Sequence, residues 1–284
     1  MEMQNFDTSS EEDFRAGTII ANTWEITGSI FKGVKSEVFK GKDIRTGELV
    51  AIKTENPKRD HLTNEFLVYK GVNNTSFSPY CAKMLYYKFI PAPVLVLKYA
   101  GVDLHELQKA CQGFSNNQIF TYATLLIRAI ENLHNCGFVH RDIKPKNFVT
   151  FTNDSVKLID FGIVSRWRDS IGNHVKLHKN CRFRGTFTYA SVNAHNLLTP
   201  SRRDDLESLG YMLISFMRHC LPWSDIECDL KNKRVKVGTM KADISIEELT
   251  LDLPAPLREY MSYVKRLKFE DTPEYDYLRD LFKL

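Results

Sequence analysis

Val139-His140-Arg141-Asp142-Ile143-Lys144-Pro145-Lys146-Asn147-Phe148 packs a carboxylate, two ammonium groups, a guanidinium, an imidazole and a carboxamide into ten residues. Before it runs an apolar pattern of helical period, and after it a β-branched, aromatic stretch. A segment this polar makes a poor core element. It reads as a loop carried on a rigid base, the setting in which reactive groups concentrate.

The flanks support that placement. Ser115 with Gln118 forms a capping box at the start of a helix that Gly137 stops, and Ile119, Tyr122, Leu126, Ile130 and Leu133 make its apolar stripe. On the other side, Asn147-Phe148-Val149 and Val156-Lys157-Leu158-Ile159 read as short strands that deliver Asp160-Phe161-Gly162 to a loop. Farther on, Gly185 to His195 precedes the run Ser201-Arg202-Arg203-Asp204-Asp205-Leu206-Glu207-Ser208-Leu209-Gly210-Tyr211. That run leads into a helix apolar nearly all round, expected to end near His219 and to be buried, with Leu221-Pro222-Trp223 closing it.

Upstream, Trp24 to Glu55 has a strand-like pattern, with a turn at Thr46-Gly47. In Leu49-Val50-Ala51-Ile52-Lys53, alternation puts Ala51 and Lys53 on one face and Val50 and Ile52 on the other. A small residue beside a lysine suits a flat base over the alanine with a phosphate near the ammonium. Leu62, Phe66 and Tyr69 fall at helical spacing after Pro57 and carry Glu65 with them. Pro93 to Leu97 is an unbroken apolar strand, and Lys98-Tyr99-Ala100-Gly101 changes character as a hinge would.

The chain has 284 residues, 43% hydrophobic and 12% aromatic, enough for one large domain or two lobes. A net charge of +4 is too small to argue for nucleic acid. The six cysteines form no C-x-x-C pair and read as reduced thiols of a cytoplasmic or nuclear protein. No apolar run is long enough for a membrane span, and the N-terminus lacks a signal-peptide profile. Residues 1–20, centred on Ser9-Ser10-Glu11-Glu12-Asp13, read as a flexible acidic arm whose serines are candidate phosphorylation sites. Residues 163–190 carry Arg166, Arg168, Lys176, Lys179, Arg182 and Arg184 against the single acid Asp169. Either that basic segment attracts acidic or phosphorylated substrates, or its side chains satisfy local carbonyls and carboxylates.

His140-Arg141-Asp142 with Asn147, Val50-Ala51-Ile52-Lys53 and Asp160-Phe161-Gly162 together resemble the motif set of protein kinases. The resemblance implies an α+β, bilobal protein kinase fold, with a small β-rich N-lobe (about 21–97), a hinge (98–101) and a larger helical C-lobe (about 102–284). It also implies ATP and Mg2+ as cofactors. Asp142 then accepts the proton of the attacking hydroxyl, Lys144 steadies the transferred phosphoryl group, and Asn147 and Asp160 hold magnesium. Lys53 grips phosphate and pairs with Glu65, unless Glu65 is merely an exposed helix carboxylate. Ile30, Gly33, Val38, Ala51, Lys53, Leu97, Tyr99 and Asp103 (or Glu106 for the ribose) line the nucleotide. The glycine-rich loop departs from the pattern: its three glycine positions hold Phe31, Gly33 and Ser36.

Ser191-Val192-Asn193 stands where most kinases have A-P-E. With the R-R-D-D-L-E-S-L-G-Y run, L-P-W and the stretch Leu267 to Phe282, it resembles the casein kinase 1 family, and the likeness runs from about residue 22 to the end. That resemblance implies a Ser/Thr kinase of acidic or pre-phosphorylated protein sites, expected as a monomer with no membrane or nucleic-acid partner. It has Asp205 bracing the catalytic loop and Thr186 supporting Asp142 and Lys144. The arginine of the family's anion site falls at Thr188 here, and its lysine at Lys236, in the run Lys231 to Lys236, which could also be a nuclear import signal. Arg182 and Arg184 are the charges available to compensate, and Arg141 joins them and Lys236 in the candidate substrate or anion site. The catalytic domain is expected to end at Leu284. A pseudokinase that binds partners is the alternative reading.

Overall fold

The computed structural model describes residues 14–33, 36–56, 61–72, 75–89, 92–152 and 154–283. Ser9 and Ser10 lie outside them. The chain divides into two units: residues up to Tyr69 with Lys83–Tyr99, and Lys70–Ala82 with Ala100 onward.

The first unit is an antiparallel sheet with one helix. Strands β1 (Ile19–Ile20), β2 (Trp24–Lys32), β3 (Ser36–Asp43) and β4 (Leu49–Glu55) precede helix α1 (His61–Val72), and β5 (Met84–Lys88) and β6 (Val94–Lys98) follow it. The sheet order is β1-β2-β3-β4-β6-β5. Alternation gives the sheet its two faces. Ile20, Ile26, Phe39, Val50, Ile52, Val94 and Val96 form the buried side, with Phe14, Trp24 and Tyr86 packed against them. The folded chain therefore starts inside the stretch expected as a free arm. Phe14 lies 6.5 Å from Phe39, ring to ring, and Ile19–Ile20 pair with β2. Lys98, the first residue expected in the hinge, still pairs with Val50 in the sheet.

The second unit is mostly helical. Strand β7 (Val102–Asp103) leads into α2 (Leu104–Ala110) and then α3 (Asn116–Asn135). Strands β8 (Phe138–Val139), β9 (Phe148–Thr152), β10 (Ser155–Leu158) and β11 (Ser165–Arg166) follow, and then helices α4 (Val192–His195), α5 (Arg202–Arg218), α6 (Leu230–Asp243), α7 (Ile246–Leu249), α8 (Ala255–Arg266) and α9 (Tyr275–Asp280). The α3 helix starts with the expected Ser115–Gln118 capping box, and its apolar stripe is buried. The α5 helix is buried along most of its length and ends at His219, which adopts a left-handed conformation. Within the Leu267–Phe282 stretch only Tyr275–Asp280 is helical.

Candidate active site

In the first unit, register decides which side chains share a face, because paired residues on adjacent strands project to the same side. Val38 pairs with Lys53 and Ala51 with Leu97, so these four share the face opposite the buried one. Lys53 Nζ lies 2.6 Å from Glu65 Oε2, and Glu65 is buried. The helix that carries Glu65 is held in register. Glu55 Oε2 accepts the Leu62 backbone N–H at 2.8 Å, and the Phe66 ring stacks on Tyr87 at 4.1 Å. An uncompensated carboxylate at that depth would be costly, so the ammonium is held where the helix places it.

The β2–β3 turn differs from expectation. An irregularity between Ser29 and Phe31 leaves Ile30 out of the ladder and half exposed, while Phe31 pairs with Val38. The Phe31 ring lies over Gly33: a Cβ on that glycine would meet ring carbons at 2.6 and 2.8 Å. An aromatic side chain thus covers the one glycine retained in the loop. Tyr99 donates its backbone N–H to Leu49 O at 3.1 Å and lies beneath the Lys40 ammonium. In the second unit, Asp103 caps α2, accepting N–H groups of His105 and Glu106.

The polar loop from His140 to Asn147 is braced from several directions. Arg141 adopts a positive φ of 72°, and the Asp205 carboxylate secures it. Asp205 Oδ2 accepts the His140 N–H at 2.6 Å and Oδ1 the Arg141 N–H at 2.8 Å. The His140 imidazole is a strut: Nε2–H donates to Ile159 O at 3.1 Å, and Nδ1 accepts the Asp142 N–H at 3.3 Å. The Phe161 ring is buried edge-on against both His140 and Phe77. That burial fixes the position of Asp160 beside it in the chain.

Asp142 sits at the centre. Its Oδ1 accepts from Thr186 Oγ1 at 2.7 Å, and its Oδ2 from Lys144 Nζ at 2.6 Å. Lys144 also reaches Thr186 at 3.4 Å. Asn147 Nδ2 donates to Asp142 O at 2.8 Å, so its Oδ1 is the atom it would turn to a cation. Asp160 and Asn147 offer hard oxygen donors of the kind magnesium takes. Among the described residues no cluster of three or more His, Cys, Asp or Glu is placed to hold a metal ion. Gly185, at φ +106°, lies so close to the loop that a Cβ would stand 2.5 Å from Arg141 O; only glycine brings Thr186 this near to Asp142.

Arg141, Arg182 and Arg184 line one cavity with Ser191, Asp204 and Asp205. Burial, then the Arg184 charge, lowers the Arg141 pKa from its ordinary value. Lys236 does not line that cavity; it is exposed on α6. Of the other basic residues in 163–190, two serve local structure: Arg168 Nη2 donates to Asn135 O at 2.6 Å, and Arg166 lies over the Phe138 ring.

Several supporting residues escaped the sequence reading. Asp204 ties Ser191-Val192-Asn193 to α5, accepting from Ser191 Oγ at 2.7 Å and Asn193 Nδ2 at 3.0 Å. Burial pushes its carboxyl up to about 6 against those hydrogen bonds. Buried Lys241 donates to Phe187 O at 2.8 Å and Ala190 O at 2.7 Å, and lies over the Tyr211 and Trp223 rings. His134 contacts Asp205 from α3. Lys241 sits near the end of a helix otherwise rich in solvated lysines, so its depth left no local signal.

The sheet-plus-helix unit, the helical unit and the braced Asp142 loop accord with one comparison. The protein kinase domain family model matches residues 24–265, and the chain belongs to the protein kinase domain family.

Proposed function

We propose that this chain is an active Ser/Thr protein kinase of casein kinase 1 type, transferring the γ-phosphate of ATP to Ser or Thr hydroxyls in acidic or phosphorylated protein sites. A protein kinase domain generally uses ATP and Mg2+. The observation that carries the reading is the Asp142 carboxylate, held by Thr186 and Lys144 through one oxygen each. A carboxylate so oriented is poised to take the proton of an attacking hydroxyl, and Lys144 offsets charge on the transferred group. Magnesium, held by Asp160 and Asn147, would neutralise charge building between the phosphates. Lys53, kept in place by Glu65, would meet the phosphates, while Val38, Ala51, Leu97 and Tyr99 would pack on the base. Ser191-Val192-Asn193 and its carboxylate anchors support the casein kinase 1 assignment. Arg182 and Arg184 beside Arg141 support an acidic or phosphorylated substrate.

A second reading, a pseudokinase with little turnover, is favoured by one observation: the Phe31 ring covers Gly33. Cytoplasmic or nuclear residence and a monomeric state remain part of the proposal. Residence is supported by six free cysteines. No helix among the described residues is long and apolar enough to cross a membrane.

The test is phosphoamino-acid analysis of casein labelled by this protein with Mg-ATP. Phosphoserine and phosphothreonine are expected. Phosphotyrosine as the main product, or no label, would overturn the assignment.

A further inference from the structure

The matched kinase region ends at residue 265, yet a residue beyond it reaches the support of the catalytic loop. Tyr275, at the start of α9, is buried, and its hydroxyl lies 2.6 Å from His134 Nδ1. On the far side of the same ring, His134 Nε2 lies 2.9 Å from Asp205 Oδ2. That carboxylate oxygen also accepts the His140 backbone N–H, and its partner oxygen accepts that of Arg141.

The proton positions follow from chemistry. Asp205 is an acceptor toward two backbone amides, so His134 must present Nε2–H to it. A neutral imidazole then has Nδ1 as an acceptor, and the Tyr275 hydroxyl must be the donor. The chain of donation therefore runs one way: Tyr275 O–H to His134, His134 N–H to Asp205, and Asp205 receiving the catalytic loop. Each ring nitrogen has a single role, which fixes the plane of the imidazole and so the position of Oδ2. Burial disfavours the imidazolium, which keeps the ring in this neutral form.

The segment that carries Tyr275 is anchored independently. Arg202 Nη2 donates to Glu270 O at 2.9 Å and Asp271 O at 3.0 Å, and its guanidinium stacks on Trp167. The Trp167 indole in turn donates to His134 O at 2.7 Å. The Tyr263 hydroxyl accepts the Glu274 N–H at 2.8 Å. Residues 270–275 are thus tied to both ends of the His134 position.

We infer that Tyr275 is a positioning residue for phosphoryl transfer, acting through His134 and Asp205 on the backbone of His140 and Arg141. The inference rests on the kinase reading for its kinetic consequence, but not for its geometry.

The test compares Tyr275→Phe with Tyr263→Phe in the full chain. The first removes only the relay hydroxyl; the second loosens the same segment without touching His134. In Tyr275→Phe, kcat is expected to fall about fivefold, the scale of one net hydrogen bond, with KM for ATP and peptide within about twofold of wild type. Its His140 and Arg141 amide resonances are expected to shift. Tyr263→Phe should keep wild-type kcat and leave those resonances in place. An unchanged kcat and unshifted amides in Tyr275→Phe would overturn the inference. So would an equal loss in Tyr263→Phe, which would make the segment a mere strut. Nitrogen resonances of the wild-type His134 ring give a check independent of any variant: a proton on Nδ1 would overturn the relay, and one on Nε2 supports it. If the wild type transfers no phosphate, the kinase reading fails by itself, and the amide shifts and the ring tautomer still decide the relay.

Discussion

Asp205 Oδ1 accepts the backbone N–H of Arg141 at 2.8 Å, and this bond holds a non-glycine residue in the left-handed region. A helix buried in the second unit thereby sets the backbone of the loop that carries Asp142. Asp205→Asn keeps the shape but offers an N–H toward one of two amides that need acceptors. We expect a loss of about 2 kcal/mol of stability and at least tenfold in kcat. Chemical denaturation and steady-state kinetics measure the two.

Lys53 and Glu65 separate stability from chemistry. Lys53→Met strands the buried Glu65 carboxylate, and we expect a loss of about 3 kcal/mol along with activity. Adding Glu65→Gln should recover most of that stability without restoring phosphate transfer. Thermal unfolding beside a kinase assay checks both, and recovery of activity in the double variant would contradict the role given to Lys53.

The turn at Phe31 gives a prediction of gain. Phe31→Gly frees Gly33 from the overlying ring and lets backbone amides approach a phosphate. Nucleotide affinity should rise about tenfold or more, about 1.4 kcal/mol, measured by calorimetric titration with Mg-ATP.

His195 makes stability depend on pH. Burial, then the nearby Lys241 charge, lowers its pKa to about 4 from 6.5. Between those values the unfolded chain binds more protons, so stability rises with pH through the window. The contribution is complete above 6.5 and is lost as pH falls toward 4, at most about 3 kcal/mol. Denaturation midpoints from pH 7 to pH 4 should follow this slope. In Lys241→Met, NMR titration of His195 should show its pKa moved upward.

Much of this candidate site was legible because its polar groups are local in sequence. His140 to Asn147 and Asp160 to Gly162 carry their groups at fixed short spacing, and period-two alternation placed Ala51 with Lys53. The pairing of Lys53 with Glu65 was readable only through resemblance, since the spacing of a helix residue says nothing about the strand it faces. Beyond reach were residues whose role arises from distant packing. Tyr275 meets His134 across half the chain, and buried Lys241 lies in a stretch that reads as solvated surface. The first folded residues leave little signal, because Phe14 sits alone in an acidic context and a two-residue strand has too little pattern to declare itself. The strand irregularity that leaves Ile30 out of the ladder and sets Phe31 opposite Val38 is invisible to alternation.

Transfer of labelled γ-phosphate from Mg-ATP to casein, with wild type beside Asp142→Asn, decides whether Asp142 serves phosphoryl transfer. Transfer by the wild type is expected, with at least a hundredfold less by the variant, about 2.7 kcal/mol, and unchanged ATP affinity. Equal transfer by both proteins, or none by a wild type that binds ATP, would contradict it.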